Sequence, residues 1–177
     1  AERRARGLAH VPEDRHLHGV VLDFSVEENV ILGAQASYRR GLGLDRARMR
    51  TDTTRVIAEH DVRPPHPEVL MSALSGGNQQ KVVIGRELSR KPRLLVAAHP
   101  TRGLDLGAIE HVDQALVAAR AAGTAVLLVS AELSELLAIA DRVLVMFGGR
   151  VVGELDPTRT DERTLGALMA GRTEARV

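Results

Sequence analysis

The sequence predicts an α/β layer fold built on a parallel sheet, and three observations carry that expectation. Short, continuously apolar runs recur at Leu94–Ala98, Ala125–Val129 and Val143–Phe147, the pattern of strands buried on both faces. Segments of helical period separate them. Helix punctuation falls where the alternation needs it, with Asp105 placed to cap one helix and Gly123 just past its end. In a sheet of this kind ligands are expected at the C-terminal ends of the strands.

From the N-terminus, Leu8–Pro12 reads as a short strand and Glu13–Gly19 as a charged loop. Ser25 and Glu28 form a capping box, and Val26, Val30 and Ile31 give the following helix an apolar stripe. A second helix is expected from Asp45 to about Asp61, ended by the prolines of the stretch Arg63–Pro67. Leu74–Asn78 reads as a turn of small residues, and Gln79–Arg90 as a helix with Val83, Ile84 and Leu88 on one face. The helix behind Asp105 carries Ile109, Val112, Leu116 and Ala119 at helical spacing. Glu132–Ala140 reads as a short helix, Gly148-Gly149 as a hairpin turn into Val151–Leu155, and Thr160–Ala170 as a closing helix.

Composition bounds the function. A chain of 177 residues with 44% hydrophobic content is sized for one domain. Its 24 basic and 23 acidic residues leave a formal charge of +1, which argues against nucleic acid bound through bulk charge. The absence of Cys excludes disulfides, thiolate metal sites and cysteine nucleophiles. No apolar run is long enough to span a bilayer, and Ala1–Arg6 is not a signal peptide. A start at Ala rather than Met is expected of a fragment. Arg3–Arg6 and Arg46–Arg55 read as solvated charged faces.

The segment with chemistry is Leu74-Ser75-Gly76-Gly77-Asn78-Gln79-Gln80-Lys81. Two glycines let a backbone approach a ligand closely. The helix expected directly after them points unpaired N–H groups and the positive end of its dipole at the same spot, and Ser75 adds a hydroxyl. Together these make a phosphate-binding edge.

That string resembles the signature sequence of ATP-binding cassette ATPases, in the Asn-Gln-Gln form of importers for sugars and nucleosides. The following motifs fall in the family's order. Leu94–Thr101 is similar to its Walker B strand, Arg102-Gly103-Leu104-Asp105 to its D-loop, Leu127–Glu132 to its switch region and Asp141–Met146 to the next strand. His10-Val11-Pro12-Glu13-Asp14-Arg15 is similar to the Q-loop region of second cassettes in tandem importer ATPases. The likeness runs from about residue 7 to 170. It implies a P-loop NTPase-like parallel core, with a helical subdomain at about 25–90 and an α/β core at about 91–177. It also implies that Ser75, Gly76, Gly77, Asn78, Gln79, Asp105 and Glu13 contact nucleotide.

Departures from the family pattern shape the expected mechanism. No G-x-x-x-x-G-K-[ST] occurs, so the chain looks like a cassette without its opening segment. Ala98 stands where the family has the Asp that supports Mg²⁺, His99 where it has the catalytic Glu, and Ala131 where it has the switch His. Glu13 replaces the usual Gln, and reads either as a contact to metal-bound water or a membrane subunit, or as a solvated carboxylate. The resemblance therefore implies that hydrolytic groups are lost while the groups reaching across to a neighbour's nucleotide remain. ATP and Mg²⁺ would be held mainly by a partner cassette packed head to tail, and this chain alone would not hydrolyse ATP. Implied partners are that cassette, transmembrane permease subunits and, indirectly, a solute-binding lipoprotein, at the cytoplasmic face of the membrane. The alternative is a noncatalytic module docking a membrane or regulatory partner through the surface from Glu13 to Glu28.

Asp14, His16 and His18 sit in an Arg-rich loop without metal-ligand spacing, and Ser130 with Glu132 and His99 lacks the glycine elbow of a hydrolase. The resemblance also places the family's P-loop strand between Ala125–Val129 and Val143–Phe147. Either the native polypeptide is longer, or those two strands pair directly.

Overall fold

In the computed structural model, which describes residues 2–172, the chain opens with a turn of helix α1 (Glu2–Ala5) and strand β1 (Leu8–Val11). A π-helical turn at Arg15–Gly19 precedes α2 (Val26–Val30). A small hairpin, β2 (Arg39–Arg40) and β3 (Gly43–Leu44), leads into α3 (Arg46–Glu59). Then follow α4 (Gly76–Leu88), β4 (Leu94–Ala98), α5 (Leu106–Ala121) and β5 (Ala125–Val129). Beyond them lie α6 (Leu133–Ile139), β6 (Val143–Phe147), β7 (Arg150–Leu155) and α7 (Glu162–Met169). The chain divides into two units, one ending at Val129 and the other beginning at Ser130.

The first unit is organised by a parallel sheet in the order β1-β4-β5, with Leu8 opposite Leu94 and Leu94 opposite Ala125. Its core holds Val11, Val26, Met49, Val56, Met71, Val82–Ile84, Leu95, Ala97, Val112 and Leu116, all buried. The Ser25 capping box forms as expected, with the Glu28 amide donating to Ser25 Oγ and the Ser25 amide to Glu28 Oε2. Buried Asn29 ties the preceding loop down: its Oδ1 accepts from Val21 N–H at 2.8 Å, and its Nδ2 donates to the carbonyls of Val21, Phe24 and Ser25. Helix α3 ends at Glu59, ahead of the prolines.

A buried charge cluster sits at the back of α4. Glu87, fully buried, pairs with Arg86 at 2.9 Å, and Arg4 and Arg90 lie at 3.9 and 3.6 Å. Desolvation pushes the Arg86 pKa down, while Glu87 opposes that shift. Arg86 Nη1 donates to Gly19 O at 2.8 Å and so anchors the end of the π-helical turn.

The second unit is a helix-backed hairpin. Strands β6 and β7 pair antiparallel, with a register shift between Val145 and Met146. Val143 and Val145 pack on Leu165 and Leu168 of α7.

Three expectations need correction. Helix α4 begins at Gly76, not Gln79, because Ser75 is its N-cap and the glycines occupy its first turn. Val143–Phe147 is not buried on both faces: Leu144, Met146 and Phe147 are exposed. It does not pair with Ala125–Val129. Among the described residues β5 pairs only with β4, its other edge is open, and Leu127 and Val129 are about half exposed.

Candidate functional site

The site is built where α4 begins. Ser75 takes an extended backbone, φ −62° and ψ 157°, as an N-cap must. Its Oγ accepts from Asn78 Nδ2 at 3.0 Å and from the Asn78 amide at 3.4 Å. Both bonds use lone pairs, so the exposed hydroxyl keeps its proton to donate. Gly76 and Gly77 are the first two helical residues, whose N–H groups have no carbonyl to reach within the helix. No other backbone acceptor among the described residues takes them. Two free amides and a hydroxyl therefore converge at the positive end of a 13-residue helix.

The rest of the motif braces this edge. Asn78 Oδ1 accepts from the Arg63 amide at 2.7 Å. Gln79 is buried, and its Nε2 donates to Met71 O at 3.0 Å and Leu74 O at 3.2 Å. Its Oε1 meets His16 Nε2 at 2.8 Å, a bond in which the imidazole is the donor. Gln80 Nε2 donates to Pro100 O at 2.7 Å, joining α4 to the turn after β4.

Asp105 caps α5, accepting from the Ala108 amide at 2.9 Å. It also abuts Gly77, where a Cβ would lie 3.3 Å from Asp105 Oδ2 and 2.8 Å from Ala108 Cβ. Only glycine fits between α4 and α5 there. Glu13 is exposed and ion-paired with Arg102 Nη1. Asp14 caps the π-helical turn, and its hydrogen bond from the Leu17 amide lowers its pKa.

Ala98 ends β4, and its side chain offers no ligand atom to a cation. His99 follows at φ +44°, a left-handed conformation, with its N–H donating to Val129 O at 2.7 Å. Ala131 is exposed in the second unit, between β5 and α6. No group of three or more His, Asp or Glu placed to hold a metal exists among the described residues. The structure thus brings Ser75, Gly76, Gly77 and Asp105 together, with Asn78 and Gln79 beneath them. Sequence reasoning missed Arg15 and His16, whose contacts to Gly76 and Gln79 span too much chain for any local spacing to reveal.

The architecture is that of an ATP-binding cassette ATPase, a P-loop NTPase-like α/β fold. It matches a dimeric, post-hydrolysis structure of the ATP-binding cassette MJ0796 bound to ADP and Pi with a TM-score of 0.72, over 87% of this chain and 64% of that one, at 22% identity.

In sequence the chain is 49% identical over 172 residues to the guanosine import ATP-binding protein NupO of Bacillus subtilis, covering 95% of this chain and 33% of that protein. It is 43% identical over 170 residues to the nucleoside import ATP-binding protein NupA of Lactococcus lactis, covering 94% of this chain and 33% of that protein. It is 42% identical over 173 residues to the ribose import ATP-binding protein RbsA 2 of Burkholderia pseudomallei, covering 96% of this chain and 34% of that protein. The chain thus spans about a third of the length of these curated relatives. No protein-family model matches it.

Proposed function

We propose that this chain is part of the ATP-binding subunit of an importer for nucleosides or simple sugars, corresponding to its second cassette. It supplies the signature turn to ATP held by a partner cassette packed head to tail, and does not hydrolyse ATP itself. The observation that carries this reading is the contrast within one unit. The Ser75–Gly77 turn keeps a free hydroxyl and two free amides, whereas Ala98 and His99 leave no carboxylate at the end of β4. The turn fits a phosphate and the β4 terminus does not fit Mg²⁺, which supports ATP and Mg²⁺ being held mainly by the partner.

On this reading Ser75 Oγ and the Gly76 and Gly77 amides are preorganised donors to the terminal phosphate, and Asp105 fixes α5 against them. When bound, MgATP supplies the phosphoryl group whose transfer to water drives transport. Glu13 and Arg102 lie on the exposed rim of the same surface. Permease subunits and, through them, a solute-binding lipoprotein complete the assembly at the cytoplasmic face of the membrane. No helix among the described residues is long and apolar enough to cross a membrane.

Ser75→Arg in the full-length protein tests the proposal, because the larger side chain obstructs the turn and removes the hydroxyl. Loss of ATPase activity and of solute uptake together is expected. Activity unchanged by Ser75→Arg would favour a docking module with no part in ATP turnover.

A further inference from the structure

We propose that Arg15 belongs to the same phosphate site, its guanidinium contacting the terminal phosphate of the nucleoside triphosphate that the Ser75–Gly77 turn receives; this rests on the reading above. Helical Cβ atoms tilt toward the helix N-terminus. A Cβ on Gly76 would fall 2.6 Å from Arg15 Nη2, so the guanidinium lies over the N-terminal side of α4, where an anion would approach.

A helix N-terminus carries partial positive charge and favours anions. Here it faces a cation that has no carboxylate within ion-pair distance among the described residues. The two nearest acids in sequence are engaged elsewhere, Glu13 by Arg102 and Asp14 by the His16 and Leu17 amides. Arg15 Nε is buried without a hydrogen-bond partner, and Nη1 has only a long contact to Arg102 O at 3.5 Å. A buried Nε–H without an acceptor, on a guanidinium beside the unpaired Gly76 and Gly77 amides, is explained by an anion that draws on both.

Three clamps hold the Arg15 backbone: Asp14 caps its turn, Arg86 grips Gly19 O, and His16 is bonded to Gln79 inside the signature helix. A cleft of about 580 Å³ opens beside it, lined by Glu13, Asp14, Arg15, His16, Arg102 and Gly103. The Arg15 backbone is therefore fixed beside the turn, and its guanidinium fork has only to reach the phosphate from there.

The test compares Arg15→Gln, Arg15→Lys and Ser75→Arg in the full-length protein. The readouts are kcat/KM for MgATP hydrolysis and melting temperature without nucleotide. Arg15→Gln is expected to lower kcat/KM about 10- to 100-fold, the worth of a charge-assisted contact, with Arg15→Lys recovering part of it through its charge. The melting temperature should hold or rise, since a cation leaves a helix N-terminus. Wild-type kcat/KM in Arg15→Gln beside an inactive Ser75→Arg would overturn the inference and leave the signature reading standing. Wild-type activity in both would overturn that reading and the inference with it. A loss that comes with a lower melting temperature and is not reversed by lysine would mark Arg15 as a structural brace and also overturn it.

Discussion

Replacing Gly77 with alanine probes the packing that sets the signature turn. The new Cβ would lie 2.8 Å from Ala108 Cβ and 3.3 Å from Asp105 Oδ2. Carbon atoms in contact settle at about 3.5–4.0 Å, so α4 and α5 must part by roughly 0.7–1.2 Å. Ala108 Cβ has no rotamer by which to yield, and Asp105 is held as the α5 cap. Overpacking of this kind costs about 1–3 kcal/mol, and the entropy gained by removing a glycine returns about 0.5–1 kcal/mol. A net loss of about 1–2 kcal/mol is expected, read as a lower urea midpoint at unchanged m. Gly166→Ala is the control: it lies within α7 with nothing near its Cβ position, and should gain about 0.5 kcal/mol. A Gly77→Ala protein as stable as the parent would refute the packing argument.

Other perturbations follow from the same structure. His60 Nδ1 meets His111 Nε2 at 3.1 Å, and burial pushes the His60 pKa from 6.5 down to about 4, with the charge of His111 and then of Lys81 adding to it. Desolvation lowers His111 as well, reinforced by Lys81 and opposed by Asp61. The unfolded chain therefore binds more protons between pH 6.5 and about 4, so stability falls as pH drops through that window and levels below it. After allowance for partial exposure the loss is about 2 kcal/mol, and His60→Gln should flatten the slope in urea titrations across that range. Asn29→Ala strips hydrogen bonds from the Val21, Phe24 and Ser25 backbone and should cost about 2–4 kcal/mol in the same melts. Asp105→Ala removes the α5 N-cap and should cost about 1 kcal/mol, while lowering ATPase activity of the full-length protein more than that stability loss explains.

Much of the fold was legible because local chemistry agrees with it. Ser25 and Asp105 cap the helices their positions predict, and the three apolar runs are all strands. The errors have particular causes. Gly76-Gly77 reads as a turn because glycine disfavours helix interiors, yet these two open the helix because a Cβ there would crowd Arg15, Asp105 and Ala108. An apolar run does not say whether a strand is central or at an edge: the missing neighbour of β5 was expected only from the family resemblance, and the half-exposed β6 was not expected at all. The hairpin at Arg39–Leu44 has strands of two residues, too short to show any period. The signature turn itself was readable, but its supports were not: His16 lies 63 residues from Gln79, and Arg15 reaches Gly76 only through the fold.

The most direct test is a structure of the assembled transporter trapped with MgATP. The γ-phosphate should lie within hydrogen-bond reach of Ser75 Oγ and the Gly76 and Gly77 amides, with the rest of the nucleotide on a different cassette. A triphosphate enclosed by a single cassette and remote from Ser75 would contradict the account.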